Sequence, residues 1–187
     1  LIPGGFGQRG IEGMIRAAAY ARTSGLPCFG ICLGMQVMVI EYARNMLGWA
    51  DANSTEFVPH TAHAVISLLE EQIDVKDLGG TMRLGASESR LVAGTRIHEI
   101  YGKAESISER HRHRYEVSNI FRDELGRAGL TFGAFTPDGS LVESAEWAGH
   151  PWGVGVQYHP EFKSKPVLPH PLFESFVAAC LDHGRSV

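Results

Sequence analysis

Between Pro27 and Gln36 the chain changes its hydrophobic period within a single residue. Cys28-Phe29-Gly30-Ile31 is an unbroken run of strand length, whereas from Leu33 onward apolar residues recur every three or four positions through Val37, Met38, Ile40 and Tyr42. This pattern predicts a buried strand over 28–31, a helix over 33–47 that ends near Gly48, and a tight turn between them at Cys32. Upstream, residues 1–3 read as the end of a strand and 4–9 as a glycine-rich loop. Residues 11–23 read as a helix with Ile11, Met14, Ile15, Ala18 and Ala21 along one side. Strand, helix, strand, helix in succession is the mark of a parallel sheet with crossover helices. The expected class is therefore α/β, an open, mostly parallel sheet flanked by helices.

Further along, residues 51–63 are polar and irregular and read as a surface loop. Residues 64–69, 80–84 and 114–117 have strand character, 90–101 fits no single period, and 107–112 reads as a helical turn. The runs 130–136 and 141–145 are strands joined through Pro137-Asp138-Gly139, a hairpin signal. Over 152–159, Val154, Val156 and Tyr158 alternate with smaller or polar residues, so this strand ends at His159, where Pro160 stops the ladder. A last helix opens on Pro171 and carries Leu172, Phe173, Phe176, Val177, Cys180 and Leu181 on one face. There is no internal repeat and no linker, so residues 1–187 read as one domain. The first residue is Leu1, already inside a strand-like run, which suggests that earlier strands of the sheet are missing.

The chemistry concentrates where the pattern breaks. Cys32 has Gly30 and Gly34 two residues to either side, a G-x-C-x-G turn that is the thiol form of the nucleophile elbow. Neighbours without Cβ are needed because the strand and helix backbones approach closely at such a turn. The helix N-terminus that follows points N–H groups at the sulfur and is expected to favour thiolate over thiol. His159 lies at the carboxyl end of a strand, the edge of an α/β sheet where elbows also open. Imidazole titrates in the range needed to accept a thiol proton and return it to a leaving amine. Glu161, two residues on, can hold the other ring nitrogen. Cys32, His159 and Glu161 are thus the candidate catalytic triad. Cys28 and Cys180 read as inert thiols in a strand and on an apolar helix face.

The loop Gly5-Phe6-Gly7-Gln8-Arg9-Gly10 has the spacing of a dinucleotide fingerprint, but no acidic residue follows at the expected distance after a second strand. The alternative is an oxyanion hole, with N–H groups at Gly5 and at Leu33, just after the nucleophile, converging on a carbonyl oxygen. Composition narrows the field. A net charge of −4 gives no electrostatic case for nucleic acid or an anionic membrane, and no apolar run approaches the roughly 18 residues of a span. Three cysteines make no disulfide framework and point to a reducing, cytoplasmic setting. Cys28-x3-Cys32 lacks partners for a zinc site, so no metal is expected.

The elbow Gly30-Ile31-Cys32-Leu33-Gly34-Met35-Gln36, the Pro3-Gly4-Gly5 loop and His159-Pro160-Glu161 resemble class I glutamine amidotransferases, which release ammonia from glutamine through a Cys-His-Glu triad. Gly4 to Gly10, Asn53-Ser54-Thr55-Glu56-Phe57, Gly80-Thr81-Met82-Arg83-Leu84-Gly85 and Arg110-His111-Arg112-His113-Arg114-Tyr115-Glu116 narrow the resemblance to the glutaminase domains of CTP synthases. It implies that Gly5, Leu33, Gly34, Met35 and Gln36 line the glutamine site, that Glu56 faces the amino group, and that Arg114 with Tyr115 takes the α-carboxylate. A zwitterion wants one fixed cation and one fixed anion. Without the resemblance the arginine cluster would read as a solvated basic face or a phosphate patch. The resemblance further implies an amidoligase domain that uses ATP and Mg²⁺, stimulation by GTP (with Arg9 and Glu12 beside the oxyanion loop as candidate responders) and a homo-oligomer. Two other readings stay open here: a γ-glutamyl peptidase on the same scaffold, and an idle interaction module.

Overall fold

The computed structural model describes residues 1–68 and 82–186. In chain order the elements that build the site begin with helix α1 (Ile11–Ser24), strand β1 (Cys28–Ile31) and helix α2 (Leu33–Met46). The short strands β2 (Asn53–Ser54) and β3 (Ala64–Ser67) follow, then the long strand β4 (Arg83–Leu91), helix α3 (Arg96–Ile100) and strand β5 (Ser106–His113). Strand β6 (Glu116–Val117), helix α4 (Arg122–Arg127), and strands β7 (Leu130–Phe135), β8 (Val142–Trp147) and β9 (Gly153–Val156) lead to helix α5 (Pro171–Ser186).

Six strands form the main sheet in the order β1-β9-β8-β7-β4-β5, and β2-β3-β6 form a second. The α/β class is as expected, but the main sheet is mixed rather than mostly parallel. Parallel pairing joins β1 to β9, with Ile2 bridged in parallel to Gly30 on the other side of β1. From β9 outward every neighbour is antiparallel, because the chain returns through the β7–β8 and β4–β5 hairpins and not through crossover helices. Strand β7 does join β8 through the turn at Pro137-Asp138-Gly139, with Gly139 at φ 75°.

The two faces of the sheet carry separate cores. Ile11, Ile15 and Ala18 of α1 and the almost wholly buried α2 cover one, together with Val65, Ile66, Val142 and Trp147. Phe29, Ile31, Val154, Val156 and Tyr158 meet Ile97 of α3 and Leu172 of α5 on the other. Strand alternation explains the split: Cys28 and Phe29 are neighbours in sequence and lie in different cores.

Four local expectations need correction. Residues 107–112 lie in β5 and are not helical. The burial alternates, with Glu109, His111 and His113 inside and Arg110 and Arg112 outside, a period of two that polar residues on both faces disguise. Residues 51–63 are not all loop, since buried Asn53 and Ser54 form β2. The strand expected to end at His159 ends at Val156, and His159 donates its N–H to the carbonyl of Arg110 on β5. Finally, α5 buries Leu172 and half-buries Phe173 and Phe176, but leaves Val177, Leu181 and Cys180 exposed, so only its first half serves the core. Of the run 80–84, Gly80 and Thr81 lie outside the described residues, as does Leu69.

Candidate active site

Cys32 stands alone between β1 and α2, at φ 51° and ψ −104°. That is a strained conformation for a residue with a Cβ, and one that persists only when the surroundings impose it. The surroundings here are backbone. Cys32 donates its N–H to the carbonyl of Val156 on β9 at 2.7 Å, and its carbonyl accepts from Gln36 at 3.2 Å in the first turn of α2. The two flanking glycines are required by close approach. A Cβ on Gly30 would sit 2.6 Å from the carbonyl carbon of Gly34, and one on Gly34 would sit 2.1 Å from the carbonyl oxygen of Ile2.

His159 follows β9, and its Nδ1 lies 2.6 Å from Oε1 of Glu161, whose own backbone is fixed by a single 3₁₀ turn, Pro160–Phe162. An Nδ1–H that donates to the carboxylate leaves Nε2 as the basic nitrogen. That atom is buried and has no hydrogen-bond partner among the described residues. Gly4 separates ring and thiol. A Cβ there would be 2.9 Å from His159 Cε1 and 3.6 Å from Cys32 Cβ, so both face the space that Gly4 leaves vacant.

Beside them runs a cleft lined by Gly5, Phe6, Cys32, Gln36, Glu56, His113, Arg114 and Tyr115. The sequence-predicted residues Gly5, Gln36, Glu56, Arg114 and Tyr115 thus meet around Cys32, Gln36 from the first turn of α2 and the others from loops far apart in the chain. Glu56 accepts from the N–H of Gly7 at 3.1 Å, so this carboxylate also pins the glycine-rich loop. Leu33 and Gly34 are buried next to Cys32 and do not line the cleft, Gly34 packing against Ile2, and the Leu33 N–H bonds toward the Cys32 sulfur. Met35 is fully buried in the sheet-side core, touching Gly155, and does not line the cleft. Glu12 is paired with Arg44 at 2.8 Å, while Arg9 is solvent-exposed.

The expected thiolate is not the resting state. Burial pushes the Cys32 thiol up to about 12; the Leu33 N–H pulls the other way, and the carboxylates of Glu116, Glu161 and Glu56 add to the rise. A helix N-terminus therefore loses here to desolvation. Over pH 6–9 Cys32 is a neutral thiol that must be deprotonated as it reacts. Its alkylation by a small neutral reagent such as iodoacetamide should then climb about tenfold per pH unit across that window. Exposed Cys180, where no apolar face shelters the sulfur, should be modified first, and a glutamine-shaped electrophile should reverse that order. Peptide mapping after each reagent checks this, and preferential iodoacetamide labelling of Cys32 at pH 7 would contradict it.

Two residues that the sequence gave no reason to select belong to the site, His113 in the lining of the cleft and Gln157 buried behind it. Beyond His113 lies a buried polar cluster. Arg83 bridges Glu116 at 3.1 Å and Glu143 at 2.7 Å, and His111 Nδ1 meets His113 Nε2 at 3.0 Å. Burial and nearby Arg83 push His111 down to about 3 and lower His113 as well, while burial pushes Glu116 up to about 8 against the pull of Arg83. Neutral imidazoles and a bridging guanidinium thus fix the strand pair that carries Arg114 and Tyr115. The side-chain Nε2 of Gln157 lies 3.7 Å from the Cys32 sulfur. Among the described residues no group of His, Cys, Asp or Glu is placed to hold a metal ion, and no helix is long and apolar enough to cross a membrane.

Comparison with known proteins bears on this site. The model of the glutamine amidotransferase class-I family matches residues 1–179. The CTP synthase of Geobacter sulfurreducens is 59% identical over 182 residues, 97% of this chain and 34% of that protein. That of Pelotomaculum thermopropionicum is 54% identical over 186 residues, 100% of this chain and 34% of that protein. The chain therefore spans about a third of the length of these curated relatives. Among solved structures, the glutaminase domain of Trypanosoma brucei CTPS with bound acivicin matches with a TM-score of 0.90 and 43% identity, over 96% of this chain and 69% of that one. A family match along nearly the whole chain, joined to this identity and structural likeness, places the protein in the class-I glutamine amidotransferase family, as a glutaminase domain of the CTP synthase kind.

Proposed function

We propose that the chain hydrolyses L-glutamine to glutamate and ammonia by acyl transfer through Cys32. The observation that supports this most is the His159–Glu161 pair at 2.6 Å, with its second ring nitrogen unpartnered, across the Gly4 gap from an elbow thiol. His159 Nε2 takes the Cys32 proton as the sulfur attacks the substrate's amide carbon. The N–H groups of Gly5 and Leu33 hold the oxyanion. His159 then protonates the departing ammonia, and the carbon–nitrogen bond breaks to leave a γ-glutamyl thioester. Water, activated by the same imidazole, attacks the thioester, releases glutamate and restores the thiol. Because the resting thiol is neutral, deprotonation and attack belong to one step on bound substrate.

Glu56 and Arg114, facing one cleft, suit the amino group and α-carboxylate of a free amino acid, and this favours glutamine over a γ-glutamyl peptide or an idle module. Ammonia release from free glutamine, compared with release from a γ-glutamyl peptide, separates these readings. Arg114→Ala should raise KM for glutamine about 10- to 100-fold, the worth of a charge-assisted hydrogen bond to a carboxylate. Inhibition by a glutamine analogue lacking the α-carboxylate should be nearly indifferent to the change, and equal losses for both ligands would make Arg114 structural. In the longer protein the ammonia would serve an amidoligase domain that uses ATP and Mg²⁺ to aminate UTP to CTP, with GTP as activator and assembly into a homo-oligomer. The membership in the CTP synthase kind supports that setting.

A further inference from the structure

We propose that Gln157 is the hydrogen-bond donor that holds the Cys32 sulfur and stabilises it as it becomes a thiolate. The proposal rests on the reading of Cys32 as nucleophile and adds a residue to it. Gln157 is fully buried, the first residue after β9 on the way to Tyr158 and His159, and its N–H donates to the carbonyl of Glu143 at 2.9 Å. Its side-chain Nε2 lies 3.7 Å from Cys32 Sγ, and its Oε1 lies 3.2 Å from Gln36 Nε2.

The orientation of this amide is set by a chain that starts at a group with no choice. The backbone carbonyl of Tyr115 can only accept, and it lies 3.0 Å from Gln36 Nε2. Gln36 must therefore turn its NH₂ toward Tyr115, and the same NH₂ supplies the proton facing Gln157. Gln157 must answer with its oxygen, which leaves its own NH₂ aimed at the sulfur. Two interlocked amides thus convert one backbone carbonyl into a fixed N–H donor at the nucleophile.

The position matters because everything else around the sulfur, apart from the Leu33 N–H, opposes charge: burial, and the carboxylates of Glu116, Glu161 and Glu56. A neutral donor in a low-dielectric site favours the anion without the desolvation cost of a second buried charge. It also occupies one side of the sulfur, so the thiol proton is left free to point elsewhere, toward His159. The same pair ties nucleophile to recognition, since Gln36 and Tyr115 both line the cleft.

The test uses a chloroketone analogue of glutamine on the chain and on two variants, with kinact and KI measured separately and the modified residue mapped. Gln157→Glu keeps the acceptor for Gln36 and replaces the donor with oxygen; Gln157→Leu removes both. Both should lose about 10- to 100-fold in kinact, the worth of a hydrogen bond to a charged group, and Gln157→Glu, which keeps Gln36 in place, should hold KI within about twofold. Thermal melting identifies a variant that fails to fold, and the near-isosteric Gln157→Glu then decides. Wild-type kinact in a folded variant, or a loss confined to KI, would overturn the role of Gln157 while Cys32 remains the labelled residue. Labelling at a residue other than Cys32 would overturn the nucleophile reading and this proposal together.

Discussion

Cys32→Ala should abolish glutamine hydrolysis, lowering kcat by about 10⁴-fold or more while the protein folds and melts as before. Alanine keeps the Cβ that the elbow already accommodates and removes only the sulfur, so the packing of β1, β9 and α2 is untouched. His159→Ala should approach the same loss, because a thiol pushed up to about 12 has no other route to its reactive form near neutral pH. Glu161→Ala should cost less. Its carboxylate is exposed and only holds the ring, and water can take over part of that bond. Steady-state ammonia release across the three variants measures the ranking. A Glu161→Ala defect as deep as that of Cys32→Ala would give Glu161 a direct chemical part that the geometry does not assign.

Gly34→Ala should be the most damaging substitution outside the triad. The new Cβ would lie 2.1 Å from a backbone oxygen, that of Ile2, and no rotamer change relieves a backbone clash. Either the Ile2 segment leaves β1 or α2 shifts away from the sheet. A loss of about 3 kcal/mol or more in urea denaturation is expected, together with loss of hydrolysis, because Gly4 and Gly5 hang from the displaced segment. Gly13→Ala is the matched control. It meets nothing within 4 Å on an exposed face of α1 and should stabilise by about 0.5–1 kcal/mol. A Gly34→Ala protein as stable as wild type would show that elbow and Ile2 are not packed as described.

These two sites were also the most legible in the sequence, for one reason. An elbow demands small residues at fixed positions, so Gly30 and Gly34 announce themselves around Cys32, and His159-Pro160-Glu161 marks a strand exit in the same local way. What stayed hidden depends on contacts between distant segments. The Ser106–His113 strand carries Glu109, His111 and His113 inward and Arg110 and Arg112 outward. Its alternation is invisible to hydrophobicity, since the inward face meets charged and polar groups, Glu109 against Lys163 and His170 and His111 near the Arg83–Glu143 pair, and not apolar packing. The sheet's mixed character hid for the same reason: strand periodicity specifies faces but not the direction of a neighbour. The thiolate expectation failed on magnitude. The N–H of Leu33 is in place, and burial, which no local motif reports, outweighs it. Gln157 had no signal, because a glutamine before a tyrosine belongs to no chemistry until a partner amide fixes it.

The most direct measurement is to mix the chain with glutamine, quench in acid within a turnover, and map the peptides by mass spectrometry. A γ-glutamyl group is expected on the peptide that carries Cys32, formed with release of ammonia and absent from Cys32→Ala, with His159→Ala forming it far more slowly. Ammonia release that continues in Cys32→Ala, or an acyl group found on Cys28 or Cys180, would contradict the role of Cys32.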